Sequence, residues 1–312
     1  MVIHPDLQLI RHALLDWFRA YGRKLPWRET RNPYHVLVSE IMLQQTQVDR
    51  VKPKYAAFLE QFPTLEALAA ATPGDVIRAW SGLGYNRRAL NLQRTAQAVL
   101  REHDGVFPQT AEALQTLPGI GPYTAGALAC FAFEQDVAFM DTNIRRVIRR
   151  VFVGPADQKP APTERELLAL AGAAVPPGQG WSWNQAIMEL GALICTATRP
   201  RCQQCPLRAA CRAYQTWRIA DEQLVLMPQP IRPVRAIAER SAPFHTSNRF
   251  FRGRVIAALR PLPPGAILPY SELGPQVKPD WNLQELDWLK AIVAGLADDG
   301  LVAINEEGVR LP

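Results

Sequence analysis

Apolar residues recur at helical intervals through roughly the first 225 residues of this 312-residue chain, and the alternation typical of strands is scarce there. Proline, glycine and asparagine separate the apolar segments, which predicts short helices joined by tight loops. The predicted helical segments are 34–62, 64–80 with Pro73 opening a new turn, 87–100 and 111–117. We therefore expect a mainly α fold.

The composition changes near Met227, where Pro228, Pro230 and Pro233 predict a linker. The following residues, 231–312, predict a small α+β module of winged-helix type. Its predicted elements are a helix over 248–259, a second helix over 283–298 and a hairpin over 301–311 that turns at residues 305–308.

The first predicted helix of this module is basic, because it carries Arg249, Arg252 and Arg254. That charge is consistent with DNA contact. Docking of another protein and simple stabilisation of the fold stay open as alternatives.

Charge and hydropathy narrow the class of partner. Lys and Arg number 35 against 29 Asp and Glu, a formal net charge of +6, which favours a polyanion such as nucleic acid, although a merely soluble basic surface is the alternative. No segment of the sequence has the apolar length that a membrane span needs. We expect a monomeric protein of the cytoplasm, associated with the nucleoid, with no membrane partner.

Four cysteines lie within seventeen residues, spaced as C-x6-C-x2-C-x5-C: Cys195, Cys202, Cys205 and Cys211. Disulfides are a poor explanation, because the chain shows no secretory leader at Met1 and has a fifth cysteine, Cys130, in an apolar run. Four thiolates so placed can surround one metal centre. Zinc and a cubane iron–sulfur cluster both accept such a ligand set, and the ligand type alone does not separate them.

Residues 117–125 (LPGIGPYTA) lie between two helical patterns and predict a helix-hairpin-helix. Gly119 and Gly121 would let the backbone turn tightly and approach a partner closely. The amides that open the second helix could then bind a phosphate oxygen. Such contacts position a duplex without reading its sequence.

This hairpin, an aspartate eighteen positions after Tyr123 at Asp141, and the cysteine loop together resemble the endonuclease III superfamily of DNA glycosylases, over about residues 15–215. Four more segments are similar to its adenine glycosylase (MutY) branch: 25–28 (LPWR), 39–47 (SEIMLQQTQ), 82–85 (GLGY) and 184–192 (NQAIMELGA).

The resemblance implies a [4Fe–4S] cluster on the four cysteines and double-stranded DNA with a mismatched or damaged pair as partner. It also implies two helical domains. One is a six-helix barrel with the helix-hairpin-helix (25–135), and the other is an iron–sulfur domain (1–24 and 136–226).

Cleaving the bond between a purine and deoxyribose requires protonation of the base and stabilisation of an oxocarbenium-like sugar, which glycosidases achieve with two carboxylates. Glu40 lies in an apolar helical run, where we expect burial to favour its protonated form; the family assigns the matching glutamate protonation of adenine at N7. Asp141 precedes a helical pattern and is predicted to cap it. The resemblance implies that its fixed carboxylate also stabilises the sugar.

Position 123 separates two reaction types. Relatives that cleave the DNA strand carry a lysine here, whose amine forms a Schiff base with the sugar, whereas Tyr123 cannot. We therefore expect a monofunctional glycosylase that removes the base with water. By resemblance, Tyr123 donates a hydrogen bond to the catalytic carboxylates.

An everted base leaves a gap in the duplex that protein side chains must fill. By resemblance Gln45 and Tyr85 wedge into the helix, and Thr46 and Leu83 belong to the same surface. The residues that match those around the adenine pocket or the catalytic carboxylates are Trp27, Arg28, Asn143 and Glu189. A structural alternative, an ion pair, stays open for Arg28 and Glu189.

Typical members of this branch end in a Nudix-like domain that recognises 8-oxoguanine, which residues 231–312 do not match. The favoured substrate is adenine opposite guanine or 8-oxoguanine. The runner-up is a thymine or uracil mismatch glycosylase, and the alternative of another class is a non-catalytic iron–sulfur DNA-binding protein.

Overall fold

The computed structural model describes residues 6–157, 159–224 and 244–312, and helices predominate among them. The α-helices are, in chain order, α1 (Leu7–Tyr21), α2 (Pro33–Leu43), α3 (Val48–Gln61), α4 (Leu65–Ala70), α5 (Pro73–Ala79), α6 (Arg87–Glu102), α7 (Ala111–Leu114), α8 (Pro122–Phe131), α9 (Thr142–Ile148), α10 (Glu164–Ala174), α11 (Gly180–Leu193), α12 (Arg212–Leu224), α13 (Asn248–Leu259), α14 (Tyr270–Val277) and α15 (Leu286–Asp298). The two strands among these residues, β1 (Ala303–Ile304) and β2 (Val309–Arg310), form one antiparallel hairpin. The prediction of a mainly α fold is confirmed.

Local sequence signals explain where several helices begin. Thr64 caps α4 by accepting from the N–H of Ala67. Thr72 caps α5, which begins at Pro73 as predicted. Thr163 begins α10 with a capping box that it forms with Glu166. The predicted helical stretch 34–62 contains two helices, α2 and α3, and the predicted segment 111–117 is helical only to Leu114, just before the hairpin loop.

The described chain divides into two compact units. The first takes residues 6–36, 108–116 and 120–224, and the second takes 37–107, 117–119 and 244–312. The domain boundaries predicted from the sequence stay a prediction. The predicted linker at Met227–Pro233 lies outside the described residues.

In the first unit, α1 and α9 pack against α11. The core side chains include Leu14 of α1, Val147 of α9 and Trp183 of α11, all buried. Helix α8 is buried from Thr124 through Phe131, which agrees with its almost unbroken apolar sequence.

In the second unit, the C-terminal residues share one hydrophobic core with helices α5 and α6. Ile77 and Leu90 belong to the same buried cluster as Val255, Leu289 and Val309 of the module. The backbone N–H of Gly74 also donates to the carbonyl of Pro312 at 2.9 Å. The module is therefore anchored on α5 and α6 within this unit.

The predicted helix over 248–259 is confirmed as α13, and the predicted hairpin is confirmed, with the N–H of Asn305 donating to the carbonyl of Gly308 at 3.1 Å. Helix α15 begins at Leu286, after a 3-10 turn at Leu283–Glu285. The sequence reasoning missed α14, whose Gly274 and Pro275 are typical of loops. A Cβ on Gly274 would come within 2.3 Å of the Trp281 ring, so the glycine serves close packing.

Along the described ranges, no helix combines the length and apolar character that a bilayer crossing requires.

Candidate active site and cysteine cavity

Helix α2 buries the carboxyl group of Glu40. Only 4% of this residue is exposed, and the neighbouring Ser39, Ile41 and Met42 are buried as well. Glu40 lies in the second unit, whereas Asp141 and Tyr123 lie in the first.

Asp141 caps α9, as predicted. One carboxylate oxygen accepts from the backbone N–H of Ile144 at 2.6 Å, and the other accepts from the side-chain amide of Asn143 at 3.0 Å. The residue is half-buried. Two donors on two different oxygens fix the plane of this carboxylate.

A chain of hydrogen bonds runs from Asp141 to the first cysteine of the loop. The guanidinium of Arg146 donates to Asn143 Oδ1 at 2.7 Å and to the carbonyl of Cys195 at 2.6 Å. Arg146 also donates to the carbonyl of Gly191 at 2.7 Å. A Cβ on Gly191 would lie 2.7 Å from the Cβ of Asn143, so α11 and α9 approach closely here because this residue is glycine. The sequence reasoning did not single out Arg146 or Gly191.

Tyr123 occupies the second position of α8 and is half-buried. Its ring packs edge-to-face on Phe139, with centroids 5.5 Å apart. The packing orients the ring through a neighbour in the same unit. The predicted hydrogen bond from its hydroxyl to the catalytic carboxylates stays a prediction.

Trp27, Arg28 and Glu189 come together in the first unit. Arg28 follows the buried Trp27 on a 3-10 turn and donates to Glu189 Oε2 at 2.9 Å. Arg28 also donates to Gln185 Oε1 at 2.7 Å, and Arg23 donates from its side chain to both oxygens of Glu189, at 2.7 and 2.9 Å. The structural alternative for this pair, an ion pair, is thus present, with Arg23 as a partner that the sequence reasoning missed.

The carboxylate of Glu189 is almost completely buried, with 1% of its side chain exposed. Burial disfavours its charge, but the hydrogen bonds from Arg23 and the charge of Arg28 outweigh burial and hold the pKa of Glu189 below its usual value. Glu189 is therefore a fixed anion beneath Arg28.

Gln45 and Tyr85, the two predicted wedge residues, are exposed and share an unusual backbone conformation. Their φ angles are 53° and 47°, in the left-handed region that non-glycine residues rarely adopt. Such strain persists only where the surroundings enforce it, and it is concentrated at functional sites.

Arg88 holds the loops of Gln45 and Tyr85 in these conformations. Its guanidinium donates to the carbonyls of Ile41, Met42 and Gln44 on one side and to those of Leu83 and Gly84 on the other. It also donates to the hydroxyl of Thr46 at 3.2 Å.

Burial lowers the pKa of Arg88 to about 10. One half-buried cation thus ties together the loops that carry all four predicted wedge-surface residues, of which Leu83 is buried. The sequence reasoning missed it, although it lies three residues after Tyr85.

The hairpin loop needs glycine at one of its two positions. Gly119 has a φ of 82°, and a Cβ there would come within 2.9 Å of the Asn91 Cβ. Gly121 is extended, with φ −90° and ψ 175°, and a Cβ there would meet nothing within 4 Å. The turn itself therefore does not require glycine at position 121, and the predicted close approach of Gly121 to a partner stays a prediction. Thr95 holds the loop by donating to the carbonyl of Pro118 at 2.7 Å.

The four cysteines Cys195, Cys202, Cys205 and Cys211 line one cavity in the first unit, together with Arg150 and Trp217. Within the described residues, no set of three or more His, Cys, Asp or Glu side chains is arranged to hold a single metal ion. Four thiols on one cavity are a donor set that both zinc and an iron–sulfur cluster accept.

The surroundings of these thiols are partly cationic. Arg150 donates to Cys195 Sγ at 3.4 Å and lies over the Trp217 ring at 5.4 Å. Burial raises the pKa of Cys205 to about 12, so a thiolate there needs strong positive compensation. A cationic metal centre together with Arg150 would provide it.

With this geometry in place, comparison with known proteins identifies the family. Residues 38–172 match the model of the HhH-GPD superfamily base excision DNA repair proteins. The chain is 43% identical to the adenine DNA glycosylase of Mycolicibacterium smegmatis over 249 residues, which cover 79% of each chain. This chain belongs to the adenine DNA glycosylase family. It is also 43% identical to the Homo sapiens adenine DNA glycosylase over 229 residues, which cover 70% of this chain and 42% of the human one.

Solved structures agree on the fold of the family. A thermostable thymine-DNA glycosylase is similar with a TM-score of 0.63 and 30% identity, covering 68% of this chain and 97% of its own. A non-covalent endonuclease III–DNA complex is similar with a TM-score of 0.57 and 23% identity, covering 70% of this chain and all of the endonuclease III chain. The endonuclease III-like fold and the role in base excision repair that the sequence predicted are therefore confirmed.

Proposed function

We propose that this member of the adenine DNA glycosylase family removes adenine paired with guanine or 8-oxoguanine, by hydrolysis of the N-glycosidic bond and without cleaving the strand. The observation that carries the proposal is the burial of Glu40 within the 39–47 segment, in a chain 43% identical to a curated adenine DNA glycosylase. The chain is 43% identical to that adenine DNA glycosylase but only 30% identical to the thymine-DNA glycosylase. This difference in identity favours adenine over thymine as the target base.

In this mechanism Glu40 is the general acid. Its carboxyl group, buried on α2, would deliver a proton to N7 of adenine. Protonation makes adenine a better leaving group, because the protonated ring accepts the electron pair of the breaking bond and leaves as neutral adenine.

Asp141 stabilises the sugar as that bond breaks. Its carboxylate is held by the donors of Ile144 and Asn143, so it faces the developing positive charge without reorganising. Water then completes the hydrolysis. Because Tyr123 has no amine, no Schiff base forms, and borohydride should trap no covalent adduct with DNA.

The DNA-binding residues divide by task. We assign wedging into the duplex to Gln45 and Tyr85 on the surface they share with Thr46 and Leu83, and phosphate binding to the hairpin at Gly119 and Gly121. The open space next to Gly121 supports the hairpin assignment. We assign the wall of the adenine pocket to Trp27, Arg28, Asn143 and Glu189.

The cysteine cavity would hold a [4Fe–4S] cluster on its four thiolates. The donor set and the shared cavity support this choice. When bound, the cluster would link the four cysteines and so cross-link the loop between α11 and α12. A brown preparation with iron and inorganic sulfide in equal amounts is the expected result, and a colourless zinc protein prepared without oxygen would contradict it.

A substrate panel tests the proposed function. Purified protein is assayed on duplexes that carry adenine, thymine or uracil opposite guanine and 8-oxoguanine. We expect release of adenine alone, whereas release of thymine or uracil would identify the runner-up activity. Glu40→Gln should abolish release while DNA binding is kept, and Glu112→Gln, an exposed position on α7, serves as the matched control. A wild-type protein that binds DNA and releases no base would indicate the non-catalytic alternative.

A further inference from the structure

A cleft of about 730 Å³ lies within the second unit, between the loop at Tyr85 and helix α13 of the C-terminal module. Pockets of about 300–1,000 Å³ are of the size that enclose a small organic ligand. The proposed function uses only one side of this cleft, the Tyr85 loop.

The two sides of the cleft are held together firmly. Arg260, which follows α13, donates to Asn86 Oδ1 at 2.8 Å and to the carbonyl of Ile77 at 3.2 Å. Arg78 donates in return to the carbonyl of Leu262 at 3.2 Å. Since both sides also share one hydrophobic core, the cleft is a built feature of this unit.

The lining of the cleft is strongly cationic. Five arginines and one carboxylate face it, and the carboxylate, Asp299, is already paired with Arg87 and Arg252. Gly295 makes room for Arg252, because a Cβ there would lie 2.8 Å from its guanidinium. The excess of positive charge is complementary to a polyanion.

Arg249 of α13 contacts Tyr85, one of the two predicted wedge residues. Its guanidinium lies over the Tyr85 ring, 4.1 Å from the centroid. The residue is exposed, so this cation–π contact is at the surface where a ligand can reach it. The cleft is therefore continuous with the surface that we assign to the duplex.

The floor of the cleft is apolar and partly aromatic. It includes Phe250, Leu296 and Leu301, with Arg254 above the Phe250 ring at 5.9 Å. Flat apolar surfaces under an arginine rim suit a nucleotide, because the base can stack while the phosphate meets the guanidinium groups.

We propose that this cleft binds a nucleotide of the substrate duplex next to Tyr85, with Arg249 and Arg254 on its phosphate and Phe250 beside its base. The C-terminal module is then part of the DNA-binding surface. The proposal rests on the assigned role of Tyr85 as a wedge, and it gives the module a task that the family resemblance did not.

The proposal is tested by measuring the affinity for a duplex with adenine opposite 8-oxoguanine by fluorescence anisotropy. All variants are made in the inactive Glu40→Gln protein. Arg249→Ala and Arg254→Ala should each weaken binding several-fold and reduce the slope of log K against log salt by about 1. Ala257→Trp, at an exposed position that lines the cleft, should weaken binding by filling it, with no change of net charge.

Lys290→Ala is the matched control, since it removes one positive charge from an exposed position of the same module, away from the cleft. Equal losses in Lys290→Ala and Arg249→Ala would overturn the proposal, as would wild-type binding by Ala257→Trp. Thermal unfolding of each variant establishes that the fold is kept. If the wild-type protein releases no adenine, the proposed function fails; if it does and the cleft variants bind as Lys290→Ala does, only the cleft assignment fails.

Discussion

The side-chain amide of Asn143 donates to Asp141 Oδ2 at 3.0 Å, while Asp141 Oδ1 accepts from the backbone at the start of α9. The cap and the amide therefore use different oxygens of one carboxylate. A capping aspartate needs only the first contact. The second fixes the rotation of the carboxyl group, which a role in stabilising a sugar cation requires and a cap does not.

Asn143→Ala tests that distinction. Removing a hydrogen bond to a charged group costs about 1.5–3 kcal/mol, which corresponds to a fall of about 10- to 150-fold in the single-turnover rate of adenine release. The affinity for DNA should stay near the wild-type value, and Thr142→Ala, an exposed neighbour, is the control. Adenine release at the wild-type rate in Asn143→Ala would show that the cap alone positions Asp141.

Sequence patterns predicted those features that depend on local chemistry. The cap at Asp141, the helix at 248–259 and the turn at 305–308 each follow from a residue type that acts on its neighbours. The family resemblance rested in the same way on short contiguous motifs.

The missed features depend on residues that are distant in sequence. Arg88 reaches carbonyls more than forty positions earlier, and Arg146 reaches Cys195 across 49 positions. An arginine on a helix looks the same in sequence whether it is solvated or buried against carbonyls. Nothing in the pattern around Arg23 indicates that it meets Glu189, 166 positions later.

The Glu189 ion pairs should make stability depend on pH in the acid range. Since Arg23 and Arg28 hold the folded-state pKa of Glu189 below its ordinary value of 4.5, its contribution is complete above that pH and is lost as the pH falls through the lower folded value. Glu189→Gln should therefore flatten the fall in the free energy of unfolding below about pH 4.5. At neutral pH the variant should be less stable by about 3–5 kcal/mol, because two arginines lose a buried partner. Urea unfolding at a series of pH values measures both effects, and an unchanged slope would contradict the assignment.

Arg88→Lys should loosen both wedge loops while keeping the charge. A lysine offers three donors from one atom, whereas Arg88 donates to carbonyls on two sides through a planar fork. We expect a loss of about 1–4 kcal/mol in the free energy of unfolding, from several hydrogen bonds of about 0.5–1.5 kcal/mol each. Arg101→Lys, with 70% of its side chain exposed, should change nothing measurable. Wild-type stability and DNA affinity in Arg88→Lys would exclude Arg88 as the residue that holds Gln45 and Tyr85.

The two hairpin glycines should respond differently to alanine. Gly119→Ala places a Cβ on a left-handed residue, at a cost of about 1–2 kcal/mol, and also forces the Asn91 Cβ to move. We expect lower stability in urea unfolding, with DNA affinity reduced as a consequence.

Gly121→Ala should leave stability within about 0.5 kcal/mol of the wild type, since its backbone is extended and a Cβ there meets nothing within 4 Å. If the amides that open α8 approach a phosphate, the added methyl group occupies the space that the DNA backbone needs, and affinity falls with the fold unchanged. Anisotropy titration of both variants beside their unfolding curves separates the two effects. Wild-type affinity in Gly121→Ala would mean that the phosphate is bound elsewhere, and the hairpin would then serve only to connect α7 with α8.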